Sequence, residues 1–233
     1  MTDPTTSAVR TEHVWKTFHQ EAEEIHAVRD VTIEIARGEF TALAGPSGSG
    51  KTTLLNVIGG LTRPSRGQVW VAGRNLTEMS NPELARLRLG QVGFVFQAYN
   101  LLPVLTAMEN AEFPMLLQGI DPDERAARVG ELFKRIGLDG MEGRRPRKLS
   151  GGQQQRVAVV RSVASKPALV LADEPTANLD SAASDALLDV MRELNEDLGI
   201  TFVFATHDTR VMERCRRLVR MVDGAIESDK VRS

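Results

Sequence analysis

"FTALAGPSGSGKTTLLNVIGG", Phe40 to Gly60, joins two apolar runs through a glycine-rich turn. The first run, "FTALAG", stops at Gly45, and the second, "TTLLNVIGG" from Thr52 to Gly60, reads as a buried helix. Between them Gly45, Pro46, Ser47, Gly48, Ser49, Gly50, Lys51 and Thr52 fit the spacing GxxxxGK(S/T), with Thr53 next in line. Glycines let successive backbone N–H groups curl around phosphate oxygens, and a helix N-terminus adds roughly half a positive charge. Lys51 would then reach the β- and γ-phosphates, and the Thr52 hydroxyl would ligate Mg²⁺. The competing explanation is a flexible glycine turn with a chance lysine. Such a match arises on the order of once in a hundred chains of this length, and the strand–loop–helix context lowers that further.

Outward from this stretch, "VRDVTIEI" (Val28 to Ile35) alternates apolar and polar residues, and "ARGE" turns the chain into "FTALAG", so a strand pair is expected ahead of the glycine loop. Downstream, "GQVWVAGRNL" reads as an exposed hairpin. From Gln97 to Leu149 the character becomes helical. In "DPDERAARVGELFKRIGL" Asp121 can cap, Pro122 suits the first helical position and Glu124 completes a capping-box pattern. Val129, Leu132, Phe133 and Ile136 fall on one face, and Gly137 sits where a C-cap belongs. The runs "ALVLADEP" and "TFVFATHD", with the helical pattern "ASDALLDVMRELNEDLG" between them, suit parallel strands buried on both faces, with function at their C-terminal ends. The expected class is therefore α/β, with an antiparallel β component and a helical subdomain inserted at about 98–165.

The second run supplies a second chemical element. Asp173, leaving the end of a buried strand in "LVLADEP", would hold magnesium through a water. Glu174, one residue on, can polarise an attacking water as general base. Alone, the two would be ordinary surface acids at a strand end; a phosphate loop upstream favours the functional pairing.

Composition bounds the rest. The 233 residues are 42% hydrophobic and 26% charged, enough for one large domain or a domain with a subdomain. Lys plus Arg is 29 against 31 for Asp plus Glu, a formal charge of −2, so no nucleic-acid partner is expected. The basic run "RRPRK", Arg144 to Lys148, could attract anionic lipid headgroups or nucleic acid, but the charge balance favours a solvated surface turn. A single cysteine, Cys215, excludes an intramolecular disulfide and fits a reducing, cytoplasmic setting. The start "MTDPTTSAV" lacks an apolar h-region, so residues 1–8 are expected to be a flexible tail, as are 229–233 at the other end. The longest uncharged run, Leu89 to Met108, contains Gln91, Gln97, Asn100 and Pro103 and is rejected as a membrane span. Any membrane role must come through a partner chain.

One further stretch, "LSGGQQQR" (Leu149 to Arg156), resembles the signature motif of the ATP-binding cassette (ABC) family. The companions stand in that family's order: Walker A at Gly45 to Thr52, Gln97 of the Q-loop, Walker B at Leu169 to Glu174, "NLD" (Asn178 to Asp180) as the D-loop, and His207 as the switch histidine. The resemblance implies a P-loop NTPase with a RecA-like mixed sheet, spanning about 9–228. It also implies that Gln97 coordinates magnesium and senses the γ-phosphate, that His207 hydrogen-bonds the γ-phosphate and orients Glu174, and that Asp180 contacts an opposite subunit. Phe18, or less well Trp15, aligns with the aromatic that stacks on adenine.

The signature has its own chemistry. Ser150 is a good N-cap, and Gly151 and Gly152 leave first-turn N–H groups uncovered, which with Gln153 makes a helix start that can face an anion. The resemblance implies that this anion is the γ-phosphate of a partner subunit's ATP, so two identical chains would sandwich two Mg-ATP. The wording of Gly93 to Gly119, "GFVFQAYNLLPVLTAMENAEFPMLLQG", is similar to the lipoprotein-releasing and macrolide-export branch. That implies an export or mechanotransmission role, with an integral-membrane permease docking near Gln97–Gly119 on the cytoplasmic face. The alternative is a regulatory ATPase like that of cell division, signalling through a membrane partner without transport. A soluble ABC ATPase acting on DNA or ribosomes fits less well, because such chains usually carry two cassettes or long coiled-coil insertions.

Overall fold

In the computed structural model, residues 7–20 and 23–232 are described. Among the described residues ten strands form two sheets. A four-stranded antiparallel sheet has the order β2-β1-β4-β5, from β1 (Ser7–Gln20), β2 (Glu23–Ala36), β4 (Arg66–Val71) and β5 (Arg74–Asn75). A six-stranded sheet has the order β10-β9-β3-β8-β7-β6, from β3 (Phe40–Ala44), β6 (Val92–Phe96), β7 (Leu169–Asp173), β8 (Thr201–Thr206), β9 (Arg217–Val222) and β10 (Ala225–Val231). Within the latter, β9, β3, β8, β7 and β6 run parallel, and β10 is antiparallel to β9.

The strand pair expected at Val28–Ala44 is corrected here. β2 and β3 do not pair: β2 pairs with β1, and β3 lies between β8 and β9. The turn between them carries the chain from one sheet to the other. The cause is visible in the burial pattern, since β2 alternates buried and exposed side chains whereas β3 is buried throughout. The expected tails at 1–8 and 229–233 are corrected where they fall on described residues. Ser7 and Ala8 are buried in β1, and residues 229–231 continue β10; residues 1–6 and 233 lie outside the described residues. The hairpin after α1 (Lys51–Ile58) forms as β4 and β5, but Val69 and Val71 are fully buried, so one of its faces belongs to the core.

Helix α1 lies between the two sheets. Its Leu54, Leu55 and Ile58 pack with Val9, Val69 and Val71 of one sheet and Leu171 and Val203 of the other. On the opposite face of the six-stranded sheet a second core joins Phe202 and Phe204 to Leu187 and Met191 of α6 (Ser181–Leu198), to Phe133 of α4 (Pro122–Arg135) and to Val157 and Val160 of α5 (Gly151–Val163). Helix α4 follows its sequence pattern in its cap Asp121, in the burial of Val129, Leu132, Phe133 and Ile136, and in Gly137 at φ 68° just beyond its end, but the expected capping box is corrected: Asp121 takes the Asp123 N–H, and Glu124 pairs with Arg128 instead. Helices α2 (Asn81–Gln91) and α3 (Ala107–Leu117) flank β6, and α7 (Thr209–Arg214) follows β8. Gly93 of β6 lies directly under α5, where a Cβ would stand 2.1 Å from the Ser162 carbonyl oxygen. Hence α5 belongs to the inserted helices at its start and to the sheet at its end.

This topology brings the C-terminal ends of β3, β8, β7 and β6 side by side. In open parallel sheets the crevice beyond these ends is where ligands bind.

Candidate functional site

Gly45–Gly50 leaves the end of β3 and enters α1 at Gly50, whose φ of 94° is open to glycine but strained for other residues. A Cβ there would stand 2.1 Å from the Ala27 carbonyl oxygen on β2, so both conformation and space require glycine. Lys51 is 6% exposed, and its ammonium donates to the carbonyls of Gly45 and Pro46, both at 2.8 Å, with the Ser49 hydroxyl at 3.5 Å. Among the described residues no carboxylate pairs with it, so its charge is held beside the loop and stays free for an anion.

At the ends of the neighbouring strands stand the acids. The Thr52 hydroxyl donates to Asp173 Oδ1 at 2.8 Å. Burial pushes the Asp173 carboxyl above the ordinary carboxylate range, and the adjacent Glu174 charge adds to this; the Thr52 hydrogen bond and Lys51 pull the other way. Glu174 adopts φ 45°, a left-handed conformation for a non-glycine residue. Its N–H donates to the Ala205 carbonyl at 2.9 Å, its Oε1 lies 2.6 Å from His207 Nδ1, and its Oε2 accepts from the Thr206 hydroxyl at 3.2 Å. The carboxylate is 17% exposed and the imidazole 69% exposed. The pair therefore faces solvent through the histidine.

Pro46, Ser47, Gly48, Gly50, Lys51, Thr52, Thr53, Gln97, Glu174 and His207 line one cavity of about 500 Å³, with Ala27. Its volume is in the range of small-molecule sites. Among the described residues no group of three or more His, Cys, Asp or Glu is placed to hold a metal. The oxygens at hand are the Thr52 hydroxyl and the Gln97 amide in the lining, with the Asp173 carboxylate, itself not in that lining, hydrogen-bonded to Thr52. That set suits a hard cation that keeps water and takes phosphate oxygens, as Mg²⁺ does.

Residues 28–177 match the family model described as ABC transporter. The chain belongs to the ABC transporter family. It is an ATP-binding cassette, the ATP-hydrolysing module of that family. It is 50% identical to the lipoprotein-releasing system ATP-binding protein LolD of Anaeromyxobacter dehalogenans over 85% of this chain and 84% of the relative. Identity to the macrolide export ATP-binding/permease protein MacB 1/2 of Paracoccus denitrificans is 44%, over 88% of this chain and 31% of that longer protein. Among solved structures, an ATP-binding cassette of Methanocaldococcus jannaschii, a dimer in a post-hydrolysis state bound to ADP and Pi, superposes with TM-score 0.88 at 39% identity. That alignment covers 96% of this chain and 98% of the other. The branch anticipated from Gly93 to Gly119 is the one to which the LolD and MacB relatives belong.

The cassette keeps several sequence-selected residues away from the cavity wall. Gly45 borders it from behind, in a neighbouring depression that also touches His207, while Ser49 is buried. Ser150 caps α5: Gln153 N–H donates to Ser150 Oγ at 3.3 Å, and the Gln153 side-chain oxygen accepts from Ser150 N–H at 2.9 Å. Gln153 is thus engaged with its own helix start. A Cβ on Gly151 would stand 2.9 Å from the Tyr99 hydroxyl. Asp180 caps α6, accepting from Ala183 N–H at 2.8 Å. Phe18 stands on β1, 43% exposed, with the Lys16 ammonium 5.0 Å from its ring centre, and Trp15 meets His26 edge-on at 5.9 Å. Neither aromatic ring lines the cavity.

Sequence reasoning did not select Ala27, Thr206, Asn178 or Gln155 as site residues. Asn178 Nδ2 donates to the Gln97 carbonyl at 2.8 Å, tying the two loops together. Thr206 carried a readable signal, a polar residue ending a wholly buried strand. Ala27 acts through its backbone and carried none.

Proposed function

We propose that this cassette is the ATP-binding and ATP-hydrolysing subunit of a transporter, and that two copies close head to tail around two Mg-ATP to drive a membrane permease. One observation carries this reading. The cavity is lined by the phosphate loop and the acid Glu174, while the helix start at Ser150–Gly152, whose cap takes the Gln153 N–H and neither glycine N–H, lies outside that lining. A second chain's ATP is the natural occupant of that second anion site.

Within each site the geometry supports the following roles. Backbone N–H groups of the glycine loop and the Lys51 ammonium hold the β- and γ-phosphates and neutralise charge as it builds on the transferred group. Thr52, Gln97 and Asp173 would hold Mg²⁺, which when bound neutralises phosphate charge. Glu174 accepts the proton of the attacking water; His207 donates its Nδ1–H to the Glu174 carboxylate at 2.6 Å and fixes its direction, and as the imidazolium its Nε2–H can also donate toward the γ-phosphate. Phe18 or Trp15 would stack on the base. Asp180 would meet the opposite protomer.

Support for a docked permease comes from a groove of about 560 Å³ beside β6, lined by Leu61, Leu89, Phe94, Phe113, Pro114 and Leu117 among others. Part of it lies in the Gln97–Gly119 segment. Among the described residues no helix is long and apolar enough to cross a membrane, so membrane attachment would come through that partner. The LolD and MacB relatives support a lipoprotein-release or export type, working from the cytoplasmic face.

The test pairs two variants. Glu174→Gln should abolish turnover while ATP binding persists and an ATP-dependent dimer accumulates, read by light scattering. Adding Ser150→Arg should abolish that dimer with nucleotide affinity of the monomer retained. Equal loss of binding and dimerisation would refute the arrangement across subunits.

A further inference from the structure

Gln155 is fully buried, one turn into α5, and the catalytic roles above leave it unused. Its amide nitrogen donates to the Pro175 carbonyl at 2.7 Å and makes a longer contact, 3.4 Å, with the Phe96 carbonyl. Two carbonyl oxygens on that side fix the amide's orientation, because the flipped form would oppose oxygen to oxygen. The remaining Oε1 accepts from no group among the described residues. A buried, half-satisfied amide costs stability that an apolar side chain of the same size would not. Packing alone therefore does not account for a glutamine here.

Its placement does. Pro175 follows Glu174, and Phe96 precedes Gln97. Glu174 sits at φ 45°, a conformation that persists only where surrounding bonds over-determine it. On one side its own N–H is held by the Ala205 carbonyl at 2.9 Å. On the other, the carbonyl of the following residue, Pro175, is held by Gln155. The two bonds bracket the strained residue.

We propose that Gln155 is a positioning residue that clamps the Glu174–Pro175 backbone to the signature helix, so that the position of α5 sets the direction of the catalytic carboxylate. The clamp itself rests on this chain alone. Its use in coupling rests on the functional reading above, in which a partner's ATP engages the start of the same helix. Without the clamp, Glu174 relaxes toward extended backbone and its carboxylate leaves His207.

The experiment uses Gln155→Met in the full chain, which keeps length and removes the donor. Hydrogen exchange of the nucleotide-free protein should accelerate roughly tenfold at the amides of Glu174 and Ala177, with other core amides unchanged. ADP affinity should stay within about twofold, while kcat for ATP falls roughly tenfold with little change in KM. In a cycle with His207→Ala the two kcat losses should combine to less than their product, because both act on one carboxylate. Exchange unchanged at Glu174, or accelerated equally throughout the chain, would overturn the proposal, and so would multiplicative kcat losses. If the methionine variant does not fold, Gln155→Asn keeps the donor but shortens its reach and should open the same two amides. Since the exchange experiment needs neither nucleotide nor dimer, its result stands apart from the Ser150→Arg test.

Discussion

Two glycines of the phosphate loop separate backbone strain from steric exclusion. Gly48 has φ 82° and open space for 4 Å around the position of a Cβ. Gly50 has φ 94°, and its Cβ would meet the Ala27 carbonyl oxygen at 2.1 Å and the Gly224 Cα at 3.3 Å. Alanine at Gly48 therefore meets only the left-handed penalty, about 1–2 kcal/mol. Alanine at Gly50 adds overpacking against two backbone segments, a further 1–3 kcal/mol or so. In a chain of this size 1 kcal/mol shifts Tm by about 2–4 °C, so Gly48→Ala should lower Tm by roughly 2–8 °C and Gly50→Ala by roughly 4–20 °C. The decisive quantity is the gap between the two variants, measured by calorimetry side by side without nucleotide. Because Gly224 N–H also donates to the Ser49 carbonyl at 3.1 Å, the Gly50 variant should loosen the β9–β10 turn as well, visible as faster exchange at the Gly224 amide. Equal Tm losses in the two variants would refute the steric half of this reasoning. No loss in either would refute the loop conformation itself.

Lys51→Ala should weaken ATP binding by roughly 10- to 100-fold, the worth of hydrogen bonds from a charged donor, with Tm little changed because the ammonium bonds only carbonyls and a hydroxyl; titration calorimetry checks it. Leu117→Asp places a charge on a side chain that is 58% exposed in the β6 groove, so it should abolish co-purification of a membrane partner while ATP affinity stays at the parent value. Cys215 is 2% exposed and burial pushes its thiol up to about 12, so Ellman's reagent at pH 8 should react only on unfolding. The sign is fixed by the direction: a raised thiol stays protonated through neutral and mildly alkaline pH, and rapid labelling of the native chain would contradict it.

Much of the catalytic side was legible because its chemistry is local. The phosphate loop needs glycines at fixed spacing, and "LADEP" ends a strand whose apolar run is unbroken, so residue type and position carry the message together. Likewise α4 and α6 were readable from caps and periodicity. What escaped depends on pairing across the chain. β1 mixes buried and exposed residues with register shifts against β2, so its alternation is broken at the bulges and "MTDPTTSAV" reads as a tail. The exchange of sheets between β2 and β3 leaves no local trace, because the same turn residues serve a hairpin or a crossover. Ala27 contributes a carbonyl, which every residue type has. Gln155 was quoted within the signature, yet its role is set by two carbonyls 59 and 20 residues away in the chain.

The carboxylate that performs the chemistry is held against its local preferences. Along a strand successive side chains point to opposite faces, so Glu174 after Asp173 would turn away from the loop that holds Thr52. Pro175 disfavours right-handed helix at Glu174 and steers it toward extended backbone. The observed φ of 45° satisfies neither preference. What it achieves is contact between the carboxylate and Thr206 and His207, which stand at the end of the neighbouring strand β8. The energy for that departure must come from bonds beyond the segment itself, and besides those two side-chain contacts the backbone on either side of Glu174 is held from Ala205 on β8 and from Gln155 on α5. One belongs to the sheet, which is rigid. The other belongs to the helix whose first turn carries Ser150, Gly151 and Gly152, so of these two backbone restraints it is the one that a partner engaging that turn, as proposed, would move.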